Sequence, residues 1–90
     1  MRFVYDTKKA QSNLETKDVN FADADKFEWN KALITEDARR EYSEVRKLAY
    51  GKLAGRLTVM VYTERADVIR IISWRKANKR EVAMYEKVQD

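Results

Sequence analysis

Between residues 68 and 80 the chain carries five cations, Arg70, Arg75, Lys76, Lys79 and Arg80, and no acidic residue. Residues 68–74 read as an apolar strand, and the cations gather where it runs out and a helix opens. Glu81 and Tyr85 follow on that helix. The chain has no histidine and no cysteine. Imidazole bases, thiolate nucleophiles and the usual zinc ligands are therefore excluded, and no metal or cofactor is expected. What remains is the chemistry of positive charge: holding phosphate and stabilising a charged phosphoryl transition state.

Metal-free cleavage of RNA needs few parts. A 2′-hydroxyl must lose a proton, cations must stabilise the phosphorane, and the leaving 5′-oxygen must be protonated. Arg70, Arg75 and Arg80 supply charge, while Glu81, Tyr85 or a lysine can move protons. Arg70 has two readings inside its apolar strand. It either braces the interior by pairing with Glu64 or Glu81, or it faces phosphate from the sheet surface. Cations on the first turn of a helix oppose its dipole by about 0.3–1 kcal/mol each, and a bound anion would relieve that cost. Trp74, Tyr62 and Tyr85 are either core aromatics or platforms for RNA bases. Trp74, immediately before Arg75-Lys76, is the one expected to leave the core.

Other chemistries find little support. Gly51 and Gly55, the only glycines, match neither nucleotide-binding fingerprint. The acidic pairs Asp23/Asp25 and Glu36/Asp37 read as solvated charge rather than a magnesium or glycosidase site.

The elements that must position the basic stretch are readable from pattern. Residues 2–5 form a short strand, Asp6 caps a helix over residues 7–16, and Asn20 caps a second helix with Phe21, Ala24 and Phe27 on one side. Residues 30–43 are polar apart from Leu33-Ile34 and suggest no element. Residues 45–53 and 56–65 are strands, residues 64–67 a tight turn and residues 68–74 a strand apolar on both faces, hence central. Asn78 and Glu81 match a capping box for a last helix over residues 79–88. The expected order is β-α-α-β-β-β-α: an α+β fold with an antiparallel meander covered by helices.

Ninety residues make one domain with a modest core that no disulfide or metal supplements. Residues 1–45 hold 8 basic and 10 acidic side chains, and residues 46–90 hold 11 and 5. Such a two-signed molecule can offer a basic face to nucleic acid or opposite charges to a protein partner. Lack of cysteine suits a reducing cytoplasm. The opening Met1-Arg2-Phe3-Val4-Tyr5-Asp6 is too short an apolar run for a signal peptide, and no membrane span is expected.

Several motifs together resemble the BrnT family of bacterial type II toxins. They are Gly55-Arg56-Leu57, residues 59–65, Ile69-Arg70-Ile71-Ile72-Ser73, Arg75-Lys76-Ala77, Lys79-Arg80-Glu81 and Tyr85-Glu86. Phe3, Asp6, Lys9, Asn13-Leu14, Val19 and Phe21 fit the family's opening elements, and Glu44, Arg46 and Gly51 its second strand. The resemblance implies a RelE-like fold and a ribonuclease that inhibits translation. It implies a BrnA-like antitoxin that blocks the toxin, with DNA reached only through that antitoxin. On this basis Arg70, Arg75, Arg80, Glu81, Tyr85 and Lys17 are the candidate catalytic residues. Lys76, Lys79, Arg46, Arg56 and Trp74 are the candidate RNA-binding residues, and Ser73 lies in the same motif. Thr16-Lys17-Asp18 stands where the family carries Lys-His-Gly, and Trp74 where it carries a small residue. The alternative is a catalytically weak or inactive toxin-fold protein that binds protein or RNA.

Overall fold

Asp6 turns the opening strand into a helix. Its carboxylate accepts from the backbone N–H groups of Lys8 and Lys9 at 2.8 and 3.3 Å, satisfying donors that a helix start leaves open. Strand β1 (Arg2–Val4) precedes it and helix α1 (Thr7–Lys17) follows. The computed structural model describes residues 1–38 and 44–89. α1 stops at Asp18, whose φ of 56° is left-handed and whose N–H closes onto the Leu14 carbonyl. Asn20 caps the next element as expected, but that element is a 3-10 helix (Phe21–Lys26), not an α-helix. Phe21, Ala24 and Phe27 recur every third residue, the spacing that aligns on a helix of three residues per turn. A second 3-10 turn covers Trp29–Lys31.

Four strands and a helix follow among the described residues: β2 (Leu33–Glu36), β3 (Lys47–Leu53), β4 (Arg56–Arg65), β5 (Val68–Lys76) and α2 (Lys79–Gln89). The α+β class and the antiparallel β3-β4-β5 meander agree with the sequence reading. The sheet differs in two ways. Its order is β1-β5-β4-β3-β2, and β1 lies parallel to β5, so the sheet is mixed. No hairpin joins β1 to β5, so nothing obliges that pair to run antiparallel. β2 arises from the polar stretch that suggested no element. As an edge strand it needs only Leu33 half-covered, so its pattern is weak. Most of the remainder of that stretch, residues 39–43, lies outside the described residues.

The central strand is β4 rather than β5. Leu57 to Met60 are buried on both faces of β4, and so are Tyr62 and Thr63. Ala54 (φ 50°) and Gly55 (φ 81°) join β3 to β4. Two consecutive residues of positive φ give the type I′ geometry that matches strand twist. Ala66 (φ 54°) and Asp67 join β4 to β5.

One face of the sheet carries the core. Ala49, Met60, Tyr62, Ile69, Ile71 and Trp74 pack there against Val19, Phe21, Ala24 and Phe27. Trp74 is 0% exposed. Its indole N–H donates to Thr58 Oγ1 at 2.9 Å, and that hydroxyl donates to the Gly51 carbonyl at 2.9 Å. Phe27 meets Trp74 edge-on at 5.7 Å and Trp29 at 4.8 Å, and Trp29 meets Tyr62 at 5.4 Å. Gly51 makes this packing possible: a Cβ there would lie 2.5 Å from the Phe27 ring. Tyr62 is 2% exposed, and burial followed by the charge of Glu64 raises its phenol above the ordinary range. Both residues are core, which corrects the expectation that Trp74 leaves it to stack on RNA.

α1 completes the edge of β5 beyond the end of β1. Asn13 is 6% exposed. Its carboxamide donates to the carbonyls of Trp74 at 2.6 Å and Val19 at 3.0 Å, and accepts from the Trp74 N–H at 3.4 Å. One side chain thus replaces the missing neighbour strand.

Candidate functional site

A β-bulge decides which side chains of β5 share a surface. Register holds Val59 opposite Arg75, Met60 opposite Trp74 and Val61 opposite Ser73, then shifts so that Tyr62 faces Ile71 and Thr63 faces Arg70. Ile72 is the extra residue. Without it, Arg70 and Ser73, three apart, would point to opposite sides. With it, Arg70, Ser73 and Arg75 align on the face away from the aromatic core. Across that face run the rows Tyr50, Val59, Arg75 and Leu48, Val61, Ser73.

Helix α2 fixes Arg75. Asn78 accepts from the Glu81 N–H at 2.8 Å, and Glu81 accepts from the Asn78 N–H at 2.9 Å, the reciprocal box expected from their spacing. Glu81 also grips Arg75, taking Nη1 and Nη2 on its two oxygens at 2.8 Å each. This two-point fork sets guanidinium orientation as well as distance. The hydrogen bonds from Arg75 hold the Glu81 carboxyl below its ordinary range against the opposing effect of burial. The Asn78 N–H and the charges of Arg75 and Arg80 add to the lowering. Glu81 is therefore an ionised orienting group with both oxygens engaged.

Lys17, the last residue of α1, approaches the same surface from the sheet edge. Its Nζ donates to Ser73 Oγ at 3.4 Å. Arg70 is exposed and joins no salt bridge among the described residues, so it is not an internal brace to Glu64 or Glu81. Its neighbours explain this: Val4 flanks it on the short edge strand β1, leaving its side of the sheet open. Lys79 and Arg80 are exposed on the first turn of α2.

Other candidates fall elsewhere. Lys76 alternates with Arg75 and emerges on the core side of the sheet, where Nζ pairs with Asp18 at 2.9 Å. That hydrogen bond, with the charge of Lys76 and then of Arg56, lowers the Asp18 carboxyl. Arg56 is exposed at the β3–β4 hairpin, and it lines a cavity with Lys76 and another against α2. Tyr85 is 5% exposed and donates to the Lys31 carbonyl at 2.7 Å, facing the 3-10 turn rather than Arg75. Arg46 is half-buried just before β3, and its carbonyl accepts from the Asp37 N–H at 2.7 Å. The candidate residues are thus divided. Arg70, Ser73, Arg75, Glu81 and Lys17 share one region, whereas Lys76, Arg56 and Tyr85 do not join it. Sequence reasoning missed Tyr50, a half-buried aromatic in the same row as Arg75. Strand alternation with Ala49 and Gly51 on the core side was the signal that could have found it.

Among the described residues no cluster of three carboxylates could hold a metal ion, and no helix is long and apolar enough to cross a membrane. The fold is shared with a solved structure, the Brucella abortus ribonuclease toxin BrnT, at a TM-score of 0.69. That alignment covers 88% of this chain and 99% of the other at 20% identity. No curated protein matches the chain. The family model for the ribonuclease toxin BrnT, of type II toxin–antitoxin systems, matches residues 5–81. With most of its length matched, this chain belongs to the BrnT family of ribonuclease toxins.

Proposed function

We propose that this single toxin domain is a metal-independent endoribonuclease that acts in the cytoplasm, inhibits translation and is neutralised by a BrnA-like antitoxin. The observation that carries the reading is the re-phased strand β5, which lines up Arg70, Ser73 and Arg75 while Lys17 reaches Ser73. In this mechanism Arg75, held by Glu81, stabilises the equatorial oxygens of the phosphorane as the 2′-hydroxyl attacks and gives up its proton to solvent water. Arg70 anchors an adjacent phosphate. Lys17 protonates the leaving 5′-oxygen. Tyr50 offers a ring to a neighbouring base, the part once expected of Trp74. Arg80 adds positive potential at the helix start.

One observation favours a second reading, RNA or protein binding without cleavage. Glu81 has both oxygens engaged and Tyr85 donates away from Arg75, so neither presents an idle proton-transfer atom to the face. One experiment separates the readings. The wild type and an Arg70→Ala/Arg75→Ala variant are expressed without antitoxin, and RNA integrity is followed. The same proteins are assayed on RNA with a chelator present. Cleavage in chelator that falls roughly 10²–10³-fold in the variant supports the nuclease. Intact RNA with a well-folded wild type supports binding alone.

A further inference from the structure

We infer that the groove between α2 and the β3–β4 hairpin is the seat of an acidic amphipathic segment of the antitoxin, a docking surface separate from the Arg70–Arg75 face. The inference rests on the antitoxin reading above. Two adjoining cavities of about 580 and 410 Å³ share Arg56, Leu57, Val82 and Glu86 and together follow α2 from Lys79 to Gln89. The ten steps of helical rise between Lys79 and Gln89 make this channel roughly 15 Å long, enough for a few turns of a partner helix or a short extended peptide.

The lining explains which class of partner fits. The floor is aliphatic: Leu57, Val82 and Ala83. Tyr85, the one aromatic among the described lining residues, has its hydroxyl tied to Lys31 and is buried, so these residues offer no flat ring to a base. RNA binding to unpaired bases relies on such rings. An aliphatic floor with a charged rim is instead the pattern of a protein interface, with an apolar centre and a polar border. The rim is predominantly basic. Lys31, Lys52, Arg56 and Lys79 come from four different elements, and none joins a salt bridge among the described residues. Glu28 and Glu86 are the acids opposing them. α2 buries only Tyr85 among its described residues, and on its groove side Val82 is half-buried and Ala83 exposed. The helix therefore has apolar surface to share with a segment laid beside it. Excess positive charge on the rim selects an acidic partner and speeds its approach.

The test uses the protein encoded next to this chain, purified with it as a complex, and an Ala83→Asp/Lys52→Glu variant of this chain. Both positions are exposed, and neither belongs to the proposed cleavage machinery. A thermal melt checks folding, and affinity for the neighbouring protein and for single-stranded RNA is measured separately. The expected result is binding to the neighbouring protein weakened about tenfold or more, with a shallower salt dependence, while RNA binding and cleavage stay at wild-type levels. Unchanged affinity for the neighbouring protein overturns the groove assignment and leaves the antitoxin reading standing. Weakened RNA binding with an intact protein complex overturns it in favour of an RNA track. No complex with wild-type protein overturns the groove and the antitoxin reading together.

Discussion

The two faces of the sheet use similar strands for opposite ends. On one, Trp74, Tyr62, Phe27 and Phe21 are each below 5% exposed, and the indole N–H has its partner within the core. On the other, Arg70 is exposed and Arg75 has 41% of its side chain open to solvent. The same strand β5 supplies both, and the bulge at Ile72 is what allows Ile69, Ile71 and Trp74 to face one way while Arg70, Ser73 and Arg75 face the other. Aromatics next to cations in sequence are therefore not next to them in space. Proximity along a strand separates functions whenever neighbours alternate.

The sharpest way to break this division is to remove one residue from each face. Trp74→Ala empties a fully buried site and removes the indole donor from the Thr58 hydroxyl, so a stability loss of about 3–5 kcal/mol is expected by denaturant titration. Arg75→Ala should lower cleavage by roughly 10²–10³-fold while costing no more than about 1–2 kcal/mol of stability. Equal stability losses in the two variants would show that the faces are not distinct in role. A Trp74→Phe variant, milder in volume, should keep cleavage within a fewfold of wild type. A selective loss of RNA affinity there would return Trp74 to the binding surface.

What the sequence made legible follows the range of the interactions involved. The Asp6 and Asn78–Glu81 caps depend on residues at most three apart, and both were readable. The β4 strand was readable because Leu57, Val59 and Val61 alternate with Thr58, Met60 and Tyr62 over an uninterrupted β-prone run. The bulge was not, because it is a relation between β4 and β5 rather than a property of either. β2 stayed hidden because an edge strand half-covered on one side needs almost no apolar pattern. Trp74 was misjudged because its polar atom is satisfied by Thr58, 16 residues away on another strand. The candidate site was legible as a set of residues. Their division between two faces needed the register.

The Arg75–Glu81 fork offers a graded test, because it ties the open face to the cap of α2. Glu81 has a folded-state pKa below its ordinary 4.5, chiefly through the hydrogen bonds from Arg75. A depressed carboxyl contributes stability that is present above the unfolded pKa and lost as pH falls through the folded one. The wild type should therefore lose stability on acidification below about pH 4.5, more steeply than a Glu81→Gln variant. At neutral pH that variant should be less stable by about 1 kcal/mol, discounted for solvent around the exposed guanidinium. Its cleavage should fall further than its stability predicts, because Arg75 loses its orientation. Melting temperatures and rates measured from pH 7 down to pH 3 decide this. Parallel acid profiles for the two proteins would mean that the fork contributes nothing to folding.

The smallest effect is expected at the hairpin that begins the central strand, remote from Arg75 and Lys17. Ala54 sits at φ 50° in a two-residue turn whose second position is Gly55 at φ 81°. An alanine there crowds its Cβ against the following carbonyl, whereas asparagine tolerates the left-handed region by local hydrogen bonding. Asn-Gly is also the pair that type I′ hairpins favour most. Ala54→Asn should thus raise stability by about 0.5–1 kcal/mol without the added unfolded-chain freedom that glycine would bring. Because the turn belongs to neither the aromatic core nor the basic face, the gain should appear in the unfolding midpoint alone. If cleavage changed with it, the hairpin would be coupled to the Arg70–Arg75 surface through β4, and the two faces would have to be treated as one mechanical unit.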